Sequence, residues 1–428
     1  MNDWFRVRSN ARELHVEFVA SRDRFWPPEV LREPPLPIEG VSGRRVMLSG
    51  PGAVWMYAHA AARFRAAGAQ SVRVESPHKP GDADGFERSE SRLIPADLEN
   101  EKGALLLVRL RPAPPLSADA VNRLLEPRLD ELLRLRPAEL VISGRAGVDV
   151  YARAASTAID AGVRRVSCWS ARDGLIVVHD RQGDLLGATI TRPDWLARAM
   201  PKPVQSWVLG VAGDPNSGKS VFSMVLDVYR DRIGCDGWKL DCDGQSPTPP
   251  WYLDPTDRET AGKMREAHKR DWTPAMEAAI ARQLCRAREM FSVSIADLPG
   301  GNHNVSPPQR LPPGREIIFA QVDALILLDK EYSPAEAAWR EALRPHGLDQ
   351  RIAAVLLSHD PAGTPSLTVH EENGLLRGRV TGLDRSRSAE DLLEAFREGL
   401  DQLWTAIGEK ATHLRLDNSL GAGKITAE

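Results

Sequence analysis

A chain of 428 residues is long for one hydrophobic core, and about two to four domains are expected. A formal net charge of -3, with acidic and basic residues interspersed, excludes a broad electrostatic grip on nucleic acid, so no duplex partner is expected. No apolar run approaches the roughly 20 residues of a membrane span, the N-terminus MNDWFRVRSN lacks a secretion signal's apolar core, and the cysteines Cys168, Cys235, Cys242 and Cys285 show no metal spacing; a cytoplasmic protein without membrane contact is expected.

The first predicted elements come in two copies. VMLSGPGAVWMYAHAAARFRAAGAQSVRVES (46–76) superposes without a gap on LVISGRAGVDVYARAASTAIDAGVRRVSCWS (140–170), and 11 of 31 positions are identical, which a duplication explains. Each copy reads as a buried strand ending in Ser-Gly, an Ala-rich helix closed by Ala-Gly, and a second strand. The second copy is fuller: LLLVRLR (105–111), a helix from about Ser117 to Leu135, ELVIS, a helix, RVSCWS and LIVVH (175–179). This order predicts a small α+β sandwich. The first copy opens with HVEFVA (15–20), and Lys79 to Arg92 is polar and irregular, so one half has lost or rebuilt an element. The expected boundaries are 1–100 for the first repeat and 101–192 for the second. Ser49-Gly50 and Ser143-Gly144-Arg145 each lie between a strand and a helix, where they either present N–H groups and a guanidinium to phosphates or form simple tight turns.

TRPDWLARAMPKPVQ (191–205) carries three prolines, which interrupt regular structure and mark a domain boundary. Beyond it strands and helices alternate. Candidate strands are Trp207 to Ala212, Trp238 to Asp241, Val293 to Asp297, Ala324 to Leu328 and Ile352 to Leu357, whose apolar runs suit a parallel sheet covered on both faces. A helix over Pro274 to Phe291 has Thr273 as N-cap and Pro274 as its first residue. This α/β domain is placed at 203–410, with a helix end near Leu403 and a flexible tail at 411–428.

The sharpest motif is GDPNSGKS: Gly213, Asp214, Pro215, Asn216, Ser217, Gly218, Lys219 and Ser220. It follows an apolar strand and opens an amphipathic helix that Gly234 is placed to end, as the phosphate-binding loop (P-loop) of nucleoside triphosphatases does. The glycines let N–H groups turn inward at a helix's positive pole, Lys219 reaches the β and γ phosphates, and Ser220 offers its hydroxyl to Mg2+. ATP and Mg2+ are the expected cofactors. Asp297 in VSIADLPGG ends a strand beside the loop, where a carboxylate holds magnesium with Ser220. Asp241 and Asp243 in WKLDCDGQSPTPPW are candidates for the base that activates the attacking hydroxyl or water. Lys263, Arg265, Lys269 and Arg270 in GKMREAHKRDW suggest a closing lid, or a solvated helix face. Ser358 and Asp360 in LLSHDPAG are candidates for contacts to a nucleotide base, and His303 in GNHN is expected to make a local hydrogen bond.

The run ISGR, Tyr151, AG and LIVVHDRQGDLLGATI (175–190) resembles the CRISPR-associated ring nuclease family, over about the first 190 residues and twice by the duplication. The resemblance implies a ferredoxin-like module that binds cyclic tetra-adenylate, in the form fused to a P-loop ATPase, as a sensor or eraser of cyclic oligoadenylate. It makes Ser49, Gly50, Ser143, Gly144 and Arg145 the expected oligoadenylate contacts, and a cyclic ligand suits a symmetric homo-oligomer. The family's catalytic histidine falls on Arg65 and Ile159, and its acidic residue on Ser76 and Ser170, so the repeats are expected to bind rather than cut. The chain thus reads as an α/β P-loop NTPase, hydrolase or kinase-like phosphotransferase, preceded by a duplicated ligand-binding module. The alternatives are a ring nuclease with an accessory ATPase domain and a nucleotide-binding module without turnover.

Overall fold

A computed structural model describes residues 4–10, 12–19, 21, 25–75, 89–98, 102–110, 118–245, 269–330 and 335–422. The chain divides into two compact units, Met1–Pro201 and Lys202–Glu428, each of mixed α/β structure with parallel strands.

In the first unit β1 (Phe5–Ser9), β2 (Glu13–Phe18), β3 (Arg45–Ser49) and β4 (Ser71–Val74) form one sheet in that order, with α1 (Val54–Ala66) between β3 and β4. The second sheet runs β5 (Glu90–Asp97), β6 (Lys102–Arg109), β7 (Glu139–Ser143), β8 (Arg165–Ser170), β9 (Gly174–Asp180) and β10 (Thr189–Ile190). Helices α2 (Ala118–Leu135) and α3 (Val148–Asp160) make its crossovers, and α4 (Asp194–Ala199) follows. Both sheets begin alike, with an antiparallel edge strand and then three parallel strands.

Two expectations change here. Strands in sequence order along a sheet are not the interleaved arrangement of a ferredoxin-like split βαβ. And β5, within the residues assigned to the first repeat, pairs along its whole length with β6, closing an edge that the apolar run of β6 would otherwise leave open. The second sheet therefore starts at Glu90, not at 101.

Helices α1 and α3 pack on each other, α1 also touching β8 and β9 and α3 touching β4 and β7. Buried Ala58, Ala61 and Ala62 on α1 and Ala154, Ala155 and Ala158 on α3 keep the contacting faces short enough for close approach.

The second unit contains β11 (Trp207–Gly213), α5 (Lys219–Arg232), β12 (Gly237–Asp241), α6 (Pro274–Ala287), β13 (Val293–Asp297), α7 (Glu316–Phe319), β14 (Ala324–Lys330), α8 (Ala335–Leu343), β15 (Ile352–His359), β16 (Ser366–Glu372), β17 (Leu375–Thr381) and α9 (Ala389–Ala422). Its 7-stranded sheet has the order β12-β13-β11-β14-β15-β17-β16, parallel except for β16. The two strands beyond the expected five form a hairpin whose turn, Asn373-Gly374, has φ of 53° and 75°, as a two-residue type I′ connection requires.

Leu209, Val211, Ile295 and Ile326 turn one sheet face toward Phe222, Val225 and Tyr229 of α5 and Phe396 of α9. The crossover through α5 runs along the sheet in the direction opposite to those through α6, α7 and α8, so right-handed connections place these on the other face. Helix α9 continues to Ala422, past the end expected near Leu403 and into the expected tail. Buried Leu392, Phe396, Leu400, Leu403 and Ile407 recur at helical spacing and carry it over that point.

Candidate functional site

The chain leaving β11 crosses to one side of the sheet and that leaving its neighbour β13 crosses to the other, and open α/β sheets hold ligands at the carboxyl ends of such a strand pair. A cleft of 510 Å3 lies there, lined by Pro215, Asn216 and Gly218 to Val221 from the loop and start of α5, and by Asp297 to Asn304 after β13. Asp243, Gln245 and Trp272 close one side, and Leu383 and Arg385 are also on its wall.

Five of the eight loop residues, 214–218, make the turn between β11 and α5. Gly213 has φ 145° and a Cβ there would lie 2.2 Å from the Leu328 carbonyl oxygen, so no side chain fits. Asn216 takes the left-handed region at φ 61°, and Gly218 caps α5 at φ 87°. Lys219 opens the helix, and its Nζ donates to the Asp214 carbonyl at 3.0 Å. Burial lowers the pKa of this ammonium, against the opposing pull of the Asp297, Asp243 and Asp214 carboxylates. The buried Ser217 hydroxyl has no hydrogen-bond partner.

Asp214 does not line the cleft. Its carboxylate accepts from Arg310 Nε and Nη2 at 3.1 and 3.0 Å and from Trp339 Nε1 at 2.8 Å, which fastens the loop to the segment after β13 and to α8. His303, on the cleft wall, contacts the Gly300 carbonyl at 2.9 Å.

The acidic residues converge as strand register dictates. Asp241 pairs with Asp297 across β12 and β13, and Val211 pairs with Asp297 across β11 and β13. Asp243 lies on the cleft wall, its Oδ1 accepting from the Gln245 N–H at 3.1 Å, whereas Asp241 sits behind it and accepts from the Asp243 N–H at 3.0 Å. Ser358 and Asp360 are not on the wall; β17 inserts beside β15, and the turn after it brings Leu383 against Gly218 instead. Lys263 and Arg265 lie outside the described residues, and Lys269 and Arg270 do not reach the wall, but Trp272 of the same run does, with Arg315 packed 3.7 Å from its ring centre.

In the first unit the glycines of the paired Ser-Gly turns are required by the fold. A Cβ on Gly50 would sit 2.3 Å from the Phe18 carbonyl oxygen, and one on Gly144 2.0 Å from that of Val108. Tyr57 and Tyr151 donate to the Gly50 and Gly144 carbonyls at 2.6 and 3.0 Å, which accounts for the identity of all four positions across the repeat. Ser49 Oγ is 2.9 Å from His15 Nε2, Ser143 is fully buried, and the Arg145 carbonyl accepts from the Leu110 N–H at 2.7 Å. Arg65 bonds Asp160 of the other copy at 2.7 Å. Ser76 lies outside the described residues.

Among the described residues no helix is long and apolar enough to cross a membrane. No family model matches the chain, and no curated protein does. Among solved structures, a crystal structure of a DUF1611 family protein from Anabaena variabilis ATCC 29413 is similar at 16% identity and a TM-score of 0.24, over 54% of this chain and 71% of that one.

Proposed function

We propose that the second unit is a P-loop nucleotide-binding domain that uses ATP, as a hydrolase or a kinase-like phosphotransferase. The observation that carries this is the convergence of the Gly213–Ser220 loop, Lys219 and Asp297 on one cleft at the carboxyl edge of the sheet. Backbone N–H groups of the loop and the start of α5 receive the phosphates, and Lys219 neutralises them. A desolvated ammonium gains more from an arriving triphosphate than a hydrated one does, so its burial favours this role.

The donor set fits magnesium rather than a fully protein-ligated metal. Among the described residues no three His, Cys, Asp or Glu side chains gather for a metal, and Mg2+ ordinarily takes one or two protein oxygens with phosphates and waters. Ser220 and the buried Asp297, whose Oδ2 is paired with the Lys239 ammonium at 3.4 Å, are the residues that would hold it. When bound, the ion supplies charge neutralisation to the transferring phosphoryl group. Asp243, at the wall, is the better-placed base for the attacking hydroxyl or water, and Asp241 orients it through the Asp243 N–H.

For the first unit the proposal extends to binding cyclic oligoadenylate without cutting it, on the ring nuclease resemblance. Arg65, aligned with the family's histidine in the first copy, is tied up in an ion pair with Asp160, and Ile159 in the second copy has no group to transfer a proton. A cyclic ligand with two-fold symmetry suits a symmetric homo-oligomer.

Calorimetric titration with MgATP tests the reading. The wild type should bind, and Lys219→Ala should lose on the order of 100-fold in affinity, the value of a charge-assisted contact in a partly desolvated site. Equal affinities for the two proteins would refute it.

A further inference from the structure

One buried cation near the cleft has no role in the reading above. Lys239 projects from β12, two residues before Asp241, and its Nζ lies 3.4 Å from Asp297 Oδ2, with side-chain exposures of 6% and 4%. The register explains the meeting: Lys239 pairs with Ile295 and Asp241 with Asp297, so all four share the sheet face covered by α5. The Lys239 stem runs along that face toward the carboxyl edge and ends under the carboxylate. The charges of Asp241 and Asp227 also favour this ammonium, though only Asp297 is in ion-pair contact with it. Asp227 is fixed in turn by Arg230, 1% exposed, whose Nε and Nη2 donate to Asp227 Oδ1 at 3.1 and 2.8 Å.

A lysine in this place has two effects on a divalent ion. It keeps Asp297 from being a buried uncompensated charge while no ion is bound. It also repels an arriving cation across a few ångströms of low-dielectric protein. The phosphates of a nucleotide offset that repulsion, and inorganic magnesium alone does not.

We propose that Lys239 is a positioning residue that stands in for the metal: it holds Asp297 in place and makes cation binding at this carboxylate depend on the nucleotide. This rests on the reading of Asp297 as a magnesium residue. It predicts that Mg2+ without nucleotide binds the wild type weakly, and that removing the ammonium opens the site to the bare ion.

The test is Mg2+ alone, titrated into the full chain with Lys239→Met, Lys239→Arg and the double variant Lys239→Met/Asp297→Asn, read by calorimetry and by melting temperature. Lys239→Met should bind Mg2+ on the order of 10- to 100-fold more tightly than wild type. Its melting temperature should fall without the ion and recover by several degrees with it, whereas the wild type should barely respond. Lys239→Arg should behave as wild type, and the double variant should lose the response to Mg2+. If Lys239→Met folds only in the presence of Mg2+, that too is the predicted substitution of one cation for another. A variant that Mg2+ stabilises no more than it does the wild type, or that Mg2+ fails to refold, overturns the proposal. Failure of the wild type to bind MgATP would instead remove the nucleotide reading and leave the Mg2+ rescue to be judged by itself.

Discussion

Asp214 is the second residue of the Gly213–Ser220 loop, yet its carboxylate serves the fold rather than the cleft. Two nitrogens of Arg310 and the indole N–H of Trp339 converge on it, and all three residues are largely buried. Asp214→Ala leaves the guanidinium and the indole without their acceptor in a low-dielectric site, at a cost of about 3–5 kcal/mol. Asp214→Asn retains an oxygen for Trp339 and should cost less, about 1–3 kcal/mol. Urea unfolding monitors both, and an alanine variant within about 0.5 kcal/mol of wild type would show that the clamp contributes nothing. Nothing in the local sequence distinguishes this aspartate from one that faces a ligand. Arg310 and Trp339 are distant along the chain, and only the tertiary fold joins them to the loop.

At the scale of elements, legibility followed how local the determining physics is. Helix α6 was legible because its start is a local matter: Thr273 Oγ1 accepts from the Met276 N–H at 3.2 Å, and Pro274 needs no partner for a missing N–H. The strands ending in Gly213 and Asp297 were legible as apolar runs stopped by glycine-rich turns. Leu383 and Arg385 were not, because placing them at the cleft requires knowing that β17 pairs with β15, a long-range pairing that periodicity does not encode. The docking of α1 was equally hidden. His59, fully buried on α1, contacts the Val178 carbonyl of β9 through Nδ1 at 2.7 Å, and burial lowers its pKa from 6.5 to about 4. The folded state thus binds this proton only near pH 4, while the unfolded chain takes it up near pH 6.5. Stability of the first unit should be unaffected by His59 above pH 6.5 and fall by up to about 3 kcal/mol as the pH drops from 6.5 to 4. His59→Gln should flatten this acid limb in urea titrations at several pH values, and an unchanged slope would rule the residue out as its source.

At the scale of the whole molecule, the chain has two compact units with separate cores, and the function proposed above gives each a different ligand. A ligand stabilises only the cooperative unit that holds it, by about 2.7 kcal/mol at a concentration 100 times its dissociation constant. With each core large enough to unfold on its own, calorimetric melting of the full chain should resolve two transitions. MgATP should raise one of them by several degrees, and Lys219→Ala should abolish that rise without moving the other. Cyclic tetra-adenylate should raise the other and leave the ATP-responsive transition in place, since the resemblance to its binders ends before the proline-rich boundary at 191–205. His59→Gln assigns that second transition independently, because His59 lies in the first unit and its substitution should change the acid dependence of that transition alone. If cyclic tetra-adenylate shifts neither transition while MgATP shifts one, the first unit's ligand is misassigned and the nucleotide site stands. If MgATP shifts both together, the chain melts as one cooperative body, and ligand effects cannot be apportioned between its halves.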